Sequence, residues 1–386
     1  MPTSAAFPRH ILIGGGAVHQ LGAVIDRLDL RRPLVVTDSF LVESGAAERV
    51  MNLLGATDKA AALFDRTVAD PTTMSLEQGV QAALQHRADC IVGFGGGSPM
   101  DTAKALGVLA LHPGPMRRFK APGSYTGPAL PIIAIPTTAG SGSEATQFTV
   151  ISDSETNEKM LCPGLSFLAV AAIVDFELTM TMPPRLTADT GVDALTHAVE
   201  AYVSRRANPL SDGLALSAIR LIATHLNRAY RDGSDAEARA GMMAAATQAG
   251  MAFSNSSVAL VHGMSRPIGA HFHVAHGLSN AMLFPAVTAF SVAGAPGRYA
   301  DCARAYGVAD STTNDQIAAG SLVDALTELC AELAVPTPRS YGIDSAAWQS
   351  LIPLMAEQAV ASGSPANNPV IPQPAQIEAL YAQVYG

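Results

Sequence analysis

The feature that most constrains the fold is a change of hydrophobic pattern near the middle of the chain. Up to residue 182, short apolar runs alternate with segments of helical periodicity. The runs are PLVVTD (33–38), CIVGF (90–94) and LPIIAI (130–135), and predicted helices follow at 43–54, 76–85 and 100–111. Continuous apolar strands connected through helices are typical of a parallel sheet that is covered on both faces.

After Pro183 the pattern is helical throughout. Long segments rich in Ala and Leu occupy 188–203, 210–230 and 236–253, and runs of β-branched residues disappear. The sequence therefore predicts a Rossmann-like α/β dinucleotide-binding domain at residues 1–182, followed by an all-helical domain at 183–386. The boundary is expected near Pro183 and Pro184.

Composition excludes several classes of protein. The 386 residues carry a net charge of −9 with no block of Lys and Arg, which argues against nucleic-acid and anionic-membrane partners. We find no apolar run of the roughly 18–20 residues that a membrane span needs, and no signal peptide at the N-terminus. The four cysteines are scattered without a CxxC motif, as in proteins of a reducing cytoplasm, where we expect this chain to reside.

Two polar segments follow predicted strands. Gly95, Gly96, Gly97, Ser98 and Asp101 lie where a strand passes into a helix, a place where glycines let the backbone approach a pyrophosphate. The third glycine of the full Rossmann fingerprint is missing, so a plain tight turn remains the alternative. PTTAGSGSE (136–144) follows the next strand and would suit contacts to phosphate and ribose, or form a capped loop. The glycines at 14–16 are interpreted as a turn.

Asp38 ends the first of these strands. A carboxylate at this position can accept hydrogen bonds from the ribose 2′-hydroxyl and repels a 2′-phosphate, which favours NAD over NADP. An ordinary helix cap is the alternative role of this residue.

Four residues of the helical half suit a metal site. Asp193 and His197 are four apart in a predicted helix and share one face, while His262 and His276 begin two His-Gly steps. Three imidazoles and one carboxylate suit Fe²⁺ or Zn²⁺. Spacing alone does not select them from the ten histidines, because His271 and His273 lie in the same segment.

The motifs GGGSPMDTAKA (95–105), PTTAGSGSEAT (136–146), ADTGVDALTHAVEAYVS (188–204) and HGMSRPIGAHFHVAHGLSNAMLFP (262–285) resemble the iron-containing alcohol dehydrogenase family, in order and over nearly the whole chain. The resemblance implies a homodimeric NAD-dependent enzyme that interconverts small alcohols and aldehydes. It assigns the metal to Asp193, His197, His262 and His276. It also implies a set of residues that line the dinucleotide: Gly95, Gly96, Gly97, Ser98, Asp101, Thr137, Thr138, Ser141, Lys159 and Leu178.

Two positions depart from the family pattern. Arg266-Pro267 stands where a His-Pro pair is common, and Ala275 stands where Pro is frequent before the last ligand. Helical spacing from His262 would direct the Arg266 guanidinium toward the metal, where it binds an anionic group of the substrate or forms a structural pair with Glu200. Without the usual histidine, we expect protons to move through His273, with His271, the ribose hydroxyl or solvent as alternatives.

Three other functions remain open from the sequence. A lyase or cyclase of the dehydroquinate-synthase type also uses NAD and a metal. Its metal-ligand set, however, resembles one carboxylate with two histidines, so the set of one Asp and three His here favours the dehydrogenase. A metal-free reductase similar to maleylacetate reductases is possible, although all four ligand positions are filled here. A catalytically silent NAD-binding protein is the third, and the intact ligand set argues against it.

Overall fold

The computed structural model describes residues 4–156 and 158–386. Contacts within the chain define two compact units, one of Ala6–Thr181 and the other of Met182–Gly386 together with the N-terminal Ser4 and Ala5. This division concerns packing alone. The nucleotide- and metal-binding roles that we assign to residues 1–182 and 183–386 stay predictions.

The first unit is a parallel α/β structure. Its strands are β1 (His10–Ile13), β2 (Pro33–Val36), β3 (Ala62–Phe64), β4 (Cys90–Gly95), β5 (Ile132–Pro136), β6 (Phe148–Ser152), β7 (Lys159–Pro163) and β8 (Ala171–Val174). Its helices are α1 (Leu21–Arg27), α2 (Ser39–Glu43), α3 (Ala46–Gly55), α4 (Thr73–His86) and α5 (Gly97–Leu109). Six strands form one sheet in the order β1-β8-β5-β4-β2-β3, every pair parallel, and β6 and β7 form an antiparallel hairpin.

The sheet is buried on both faces, as the continuous apolar runs predict. Successive side chains of a strand point to opposite faces. Leu34 and Ile91 accordingly pack in one core cluster, while Val35 and Val92 pack in another. This arrangement confirms the predicted class of fold.

Some predicted boundaries are wrong. The helix predicted at 43–54 is two helices, because Gly45 adopts a left-handed conformation with φ of 75° between α2 and α3. The helix predicted from residue 100 begins at Gly97, directly after β4. The short strands β1, β3 and β8 and the β6–β7 hairpin were not predicted.

The second unit is helical, and its residues 182–386, all of them described, contain no strand. Its helices are α6 (Pro184–Val203), α7 (Pro209–Arg231), α8 (Ala236–Ser254), α9 (Leu260–Phe272), α10 (His276–Ser291), α11 (Pro296–Tyr306), α12 (Asp315–Glu332), α13 (Pro338–Tyr341), α14 (Ser345–Ala361) and α15 (Pro374–Val384). Helix α6 lies at the centre, packed against α7, α8 and α10. The predicted all-helical half is confirmed.

One helical stretch, His276–Gly294, is long and apolar enough to cross a membrane by length and composition. The prediction that no stretch of the chain is long and apolar enough for a membrane span is therefore wrong by this criterion. Of its apolar window, 61% is buried inside the fold, and α10 packs against α6, α9 and α12. These are the surroundings of a core helix.

Candidate metal centre and nucleotide site

Helix α6 supplies the first two residues of the candidate metal centre. Pro184 occupies the first turn, where its missing N–H costs nothing, and the helix continues unbroken to Val203. Asp193 and His197 lie one turn apart on it, and both are buried. The predicted helical spacing of these two side chains is confirmed.

Helices α9 and α10 supply the other two residues. His262 lies in the first turn of α9, and His276 is the first residue of α10. The connection between the helices is short because His273 ends α9 in the left-handed region, with φ of 55°. The thirteen residues between the two histidines therefore fold back and bring both imidazoles to the same place.

The structure brings all four predicted residues into one group, which we call the four-residue cluster: Asp193, His197, His262 and His276. One potential ligand atom from each lies within 4.8 Å of all the others. The Nε2 atoms of His197, His262 and His276 are 3.9, 3.6 and 3.8 Å from Asp193 Oδ1. A tetrahedral ion with bonds of about 2.0–2.1 Å needs ligand atoms about 3.4 Å apart. The donor types and spacing therefore fit Zn²⁺ or Fe²⁺.

The carboxylate of the cluster is ionised among the imidazoles. Burial alone would raise the pKa of Asp193, but the neighbouring imidazoles outweigh it and hold that pKa far below its usual range. For His262, burial lowers the pKa, but the contacts with Asp193 and Glu200 outweigh burial and raise the pKa to about 8. The cluster thus keeps a buried carboxylate ionised among groups that stabilise its charge.

Glu200 is a functional candidate that the sequence reasoning did not assign to the metal centre. Its Oε2 lies 2.7 Å from His262 Nδ1, and its carboxylate also accepts hydrogen bonds from the N–H groups of Ala259 and Val261 at the start of α9. A carboxylate behind a ligating histidine fixes the tautomer that leaves Nε2 free to bind a metal. The available signal was its spacing, seven residues after Asp193 on the same helix.

Asn280 is a second residue that the sequence reasoning missed. It is fully buried on α10, and its Nδ2 donates to Asp193 Oδ1 at 2.7 Å. The same nitrogen lies 3.2 Å from His262 Nε2 and 3.3 Å from His276 Nε2. Its position one turn after His276 was the only signal in the sequence.

The cluster is open on one side. The side chain of His276 is 44% exposed, whereas those of His262 and Asp193 are 4% and 6% exposed. His197 is covered because its ring stacks between those of Phe253 and His262, with centroids 4.3 and 4.4 Å away. A small molecule can therefore reach the ligand atoms from the side of His276.

The two predicted catalytic residues lie outside the four-residue cluster. His273 is exposed at the end of α9, and the neighbouring His271 contacts Gln358 through Nε2 at 2.8 Å. Arg266 is half-buried on α9, one turn after His262. Burial lowers the pKa of Arg266, and the charge of Glu200 partly opposes this effect. Arg266 and Glu200 nevertheless do not form the predicted pair, because no ion pair within 4.0 Å joins Arg266 to any described residue.

The predicted nucleotide motifs meet at one edge of the sheet. Gly95–Gly97 ends β4 and begins α5, and the segment that carries Thr137, Thr138 and Ser141 follows β5, the next strand in the sheet. Gly95 has φ of +148°, and a Cβ there would approach Pro99 to 2.6 Å. A Cβ on Gly96 would lie 3.4 Å from Thr138. Small residues thus keep the backbone open where a pyrophosphate would bind at the start of α5.

The other predicted cofactor residues lie in the same unit. Asp38 follows β2, which neighbours β4, and its Oδ1 caps α2 by accepting from Leu41 N at 3.0 Å. Asp101 accepts from Ser143 Oγ and Val150 N, and burial raises its pKa to about 6. Lys159 forms an ion pair with Asp70. Ser98 lies in the first turn of α5, and Leu178 is half-buried after β8.

Two family profiles match the chain. Residues 8–176 match "Iron-containing alcohol dehydrogenase", and residues 187–385 match "Fe-containing alcohol dehydrogenase family, C-terminal". Among curated relatives, Long-chain-alcohol dehydrogenase 1 of Geobacillus thermodenitrificans (strain NG80-2) is 40% identical over 352 residues, which is 89% of this chain and 88% of that protein.

Solved structures agree with these matches. The crystal structure of a 1,3-propanediol oxidoreductase superposes with a TM-score of 0.96 at 34% identity and covers 100% of both chains. A sulfoacetaldehyde reductase from Bifidobacterium kashiwanohense in complex with NAD⁺ has a TM-score of 0.89 at 26% identity, over 100% of this chain and 99% of the other.

Proposed function

The chain belongs to the iron-containing alcohol dehydrogenase family, and from this premise we propose that it transfers a hydride between NAD and a small alcohol or aldehyde at a divalent metal held by the four-residue cluster. The observation that carries the proposal is the convergence of three imidazole nitrogens and one ionised carboxylate within 4.8 Å. We propose Fe²⁺ or Zn²⁺ as the ion, a homodimer as the assembly and the cytoplasm as the location.

The residues of the chain perform distinct tasks in this reaction. When bound, the ion supplies Lewis acidity that polarises a carbonyl oxygen or acidifies an alcohol, and NAD supplies the hydride chemistry. The four-residue cluster holds the ion, and Glu200 orients His262 through Nδ1. The exposed face of His276 leaves room for the substrate oxygen. We propose that His273, exposed at the end of α9, passes the proton to or from solvent.

Asp38 is the residue that we propose selects NAD. The structure gives it the capping role that the sequence left as an alternative, but the cap uses only Oδ1. The second carboxylate oxygen can still accept from a ribose hydroxyl, and the charge still repels a 2′-phosphate. The two roles are therefore compatible in one side chain.

Replacing Asp38 separates these roles. In Asp38→Gly we expect the NAD/NADP ratio of kcat/KM to fall at least about tenfold, or roughly 1.4 kcal/mol. Asp38→Asn retains an oxygen to cap Leu41 N but lacks the charge, so it should show most of the same fall without loss of stability. The measurement is steady-state kinetics with both cofactors. An unchanged ratio in both variants would restrict Asp38 to the cap.

Arg266 leads us to propose that the substrate carries an anionic group. The guanidinium is half-buried and makes no hydrogen bond with the described residues, while all the acceptor contacts of Glu200 go to α9 and His262. A half-buried guanidinium with no acceptor among the described residues is available to a ligand, and its fork matches carboxylates and phosphates. A short aldehyde or hydroxy compound bearing a carboxylate, phosphonate or phosphate would provide the missing acceptor.

A substrate panel tests both parts of this proposal. We expect metal-loaded protein to oxidise NADH with aldehydes and to prefer an acidic semialdehyde over an uncharged aldehyde of similar length by about tenfold or more, the value of one charged hydrogen-bond pair. Arg266→His should remove this preference, and Arg266→Lys, which keeps the charge, should keep part of it. Equal use of both aldehydes by the wild type would refute the anionic group but leave the dehydrogenase intact. No NADH oxidation with any member would refute the dehydrogenase.

A further inference from the structure

Asn280 occupies an unusual position for a buried amide. Its side chain is inaccessible to solvent, and its Nδ2 faces three atoms of the four-residue cluster at 2.7, 3.2 and 3.3 Å. Asp193 Oδ1 accepts a hydrogen bond, and each imidazole Nε2 can accept one when it is unprotonated, which is the state that binds a metal. The amide oxygen, by contrast, is buried without a hydrogen-bond partner among the described residues.

The distances rank these contacts. At 2.7 Å, the contact with Asp193 Oδ1 has the length of a strong hydrogen bond to a charged acceptor. The contacts with the imidazoles of His262 and His276 are longer than the usual N–H···acceptor distance of about 2.9–3.0 Å. The nitrogen must face Asp193, because an amide oxygen there would oppose the carboxylate charge. The orientation of Asn280 is therefore set by Asp193.

A role limited to packing does not account for this arrangement. A buried amide oxygen without a donor costs about 1–3 kcal/mol, and an apolar side chain of the same shape would avoid that cost. Asn at this position is explained if its N–H performs a task that an apolar side chain cannot. Among the described residues, the only short contact of the amide is with Asp193, a member of the four-residue cluster.

We propose that Asn280 is a positioning residue of the metal centre, an inference that rests on the proposed function of the four-residue cluster. Its N–H holds Asp193 Oδ1 where the three imidazole Nε2 atoms converge, and so prepares the ligand geometry before an ion binds. On binding, the two long contacts with the imidazoles are given up, and the short contact with the carboxylate remains. Asn280 thereby strengthens metal binding without contributing a ligand atom.

The test is a titration of metal-free protein with Zn²⁺ in competition with a chromophoric chelator, which needs no activity. In Asn280→Leu we expect the Kd for Zn²⁺ to rise about 10- to 100-fold, as when other groups that orient metal ligands are removed. The matched control is Asn368→Leu in the same unit. Asn368 is also buried, but its amide donates to Ser291 Oγ and the Val370 carbonyl, so its Kd should stay within about threefold of wild type.

Each outcome of the titration has one meaning. A Kd for Asn280→Leu equal to or lower than that of wild type would overturn the proposal, since it would show that the amide competes with the ion. Asn280→Ala, which leaves space for a water molecule, is titrated in parallel and should weaken binding in the same way even if the leucine variant fails to fold. If the wild-type protein binds no Zn²⁺ or Fe²⁺, the proposed function fails, and the role of Asn280 fails with it.

Discussion

His262→Ala is expected to lose the metal and to lower turnover at least about a thousandfold, equivalent to roughly 4 kcal/mol of transition-state stabilisation from a Lewis acid. His262 supplies one of four converging ligand atoms and is held by Glu200, and no further His, Cys, Asp or Glu of the described residues belongs to this group. His197→Ala should behave in the same way. NAD binding should persist in both variants, because the nucleotide motifs lie in the unit Ala6–Thr181.

Metal content by elemental analysis, NADH oxidation and NAD titration measure the three parts of this prediction. His19→Ala is the control, because His19 is exposed in the first unit and remote in sequence from the cluster. Near-normal turnover of either cluster variant after treatment with a chelator would show that the metal assignment is wrong.

Glu200→Ala should weaken metal binding about 10- to 100-fold, although Glu200 contributes no ligand atom. It should also lower the free energy of unfolding by about 2–4 kcal/mol, because buried donors of Ala259, Val261 and His262 lose their common acceptor. Zn²⁺ titration and urea unfolding measure the two effects. Glu200→Gln should show the loss of metal affinity with a smaller loss of stability.

Glu237→Ala is the matched control for Glu200. Glu237 lies on α8 in the same unit and pairs with Arg228 at the surface, where its side chain is 75% exposed. Surface ion pairs contribute at most about 1 kcal/mol, so both measurements should stay near wild type. If Glu200→Ala bound Zn²⁺ as tightly as this control, the orienting role of Glu200 would be excluded.

The strands that could be predicted are buried at every position, although β8 (Ala171–Val174), which is equally buried inside the sheet, was missed. β2, β4 and β5 lie inside the sheet, so every position is apolar and the run is recognisable. β1 is an edge strand with alternating half-buried and exposed residues, and β3 has only three residues. Their patterns are too short or too mixed to separate from loops, because burial by other parts of the chain decides their conformation.

The cluster shows a similar limit. Helical spacing predicted that Asp193 and His197 share a face, but only the turn at His273 brings the imidazole of His276 back to that of His262. Glu200 and Asn280 were missed because their partners lie on other helices, at separations of about 60 to 90 residues. Arg266 shows a different limit: it lies one turn after His262 on α9, but the predicted pair with Glu200 is wrong, because that carboxylate contacts Ala259, Val261 and His262 instead.

The most direct test of direct hydride transfer at a metal is an isotope experiment with NADH deuterated at the transferable position of the nicotinamide. Protein reconstituted with Fe²⁺ or Zn²⁺ should reduce an aldehyde and place the deuterium on the carbinol carbon of the alcohol, with one NADH oxidised per product formed. Metal-free protein should do neither. Absence of deuterium from the product, or equal transfer with and without the metal, would contradict the account.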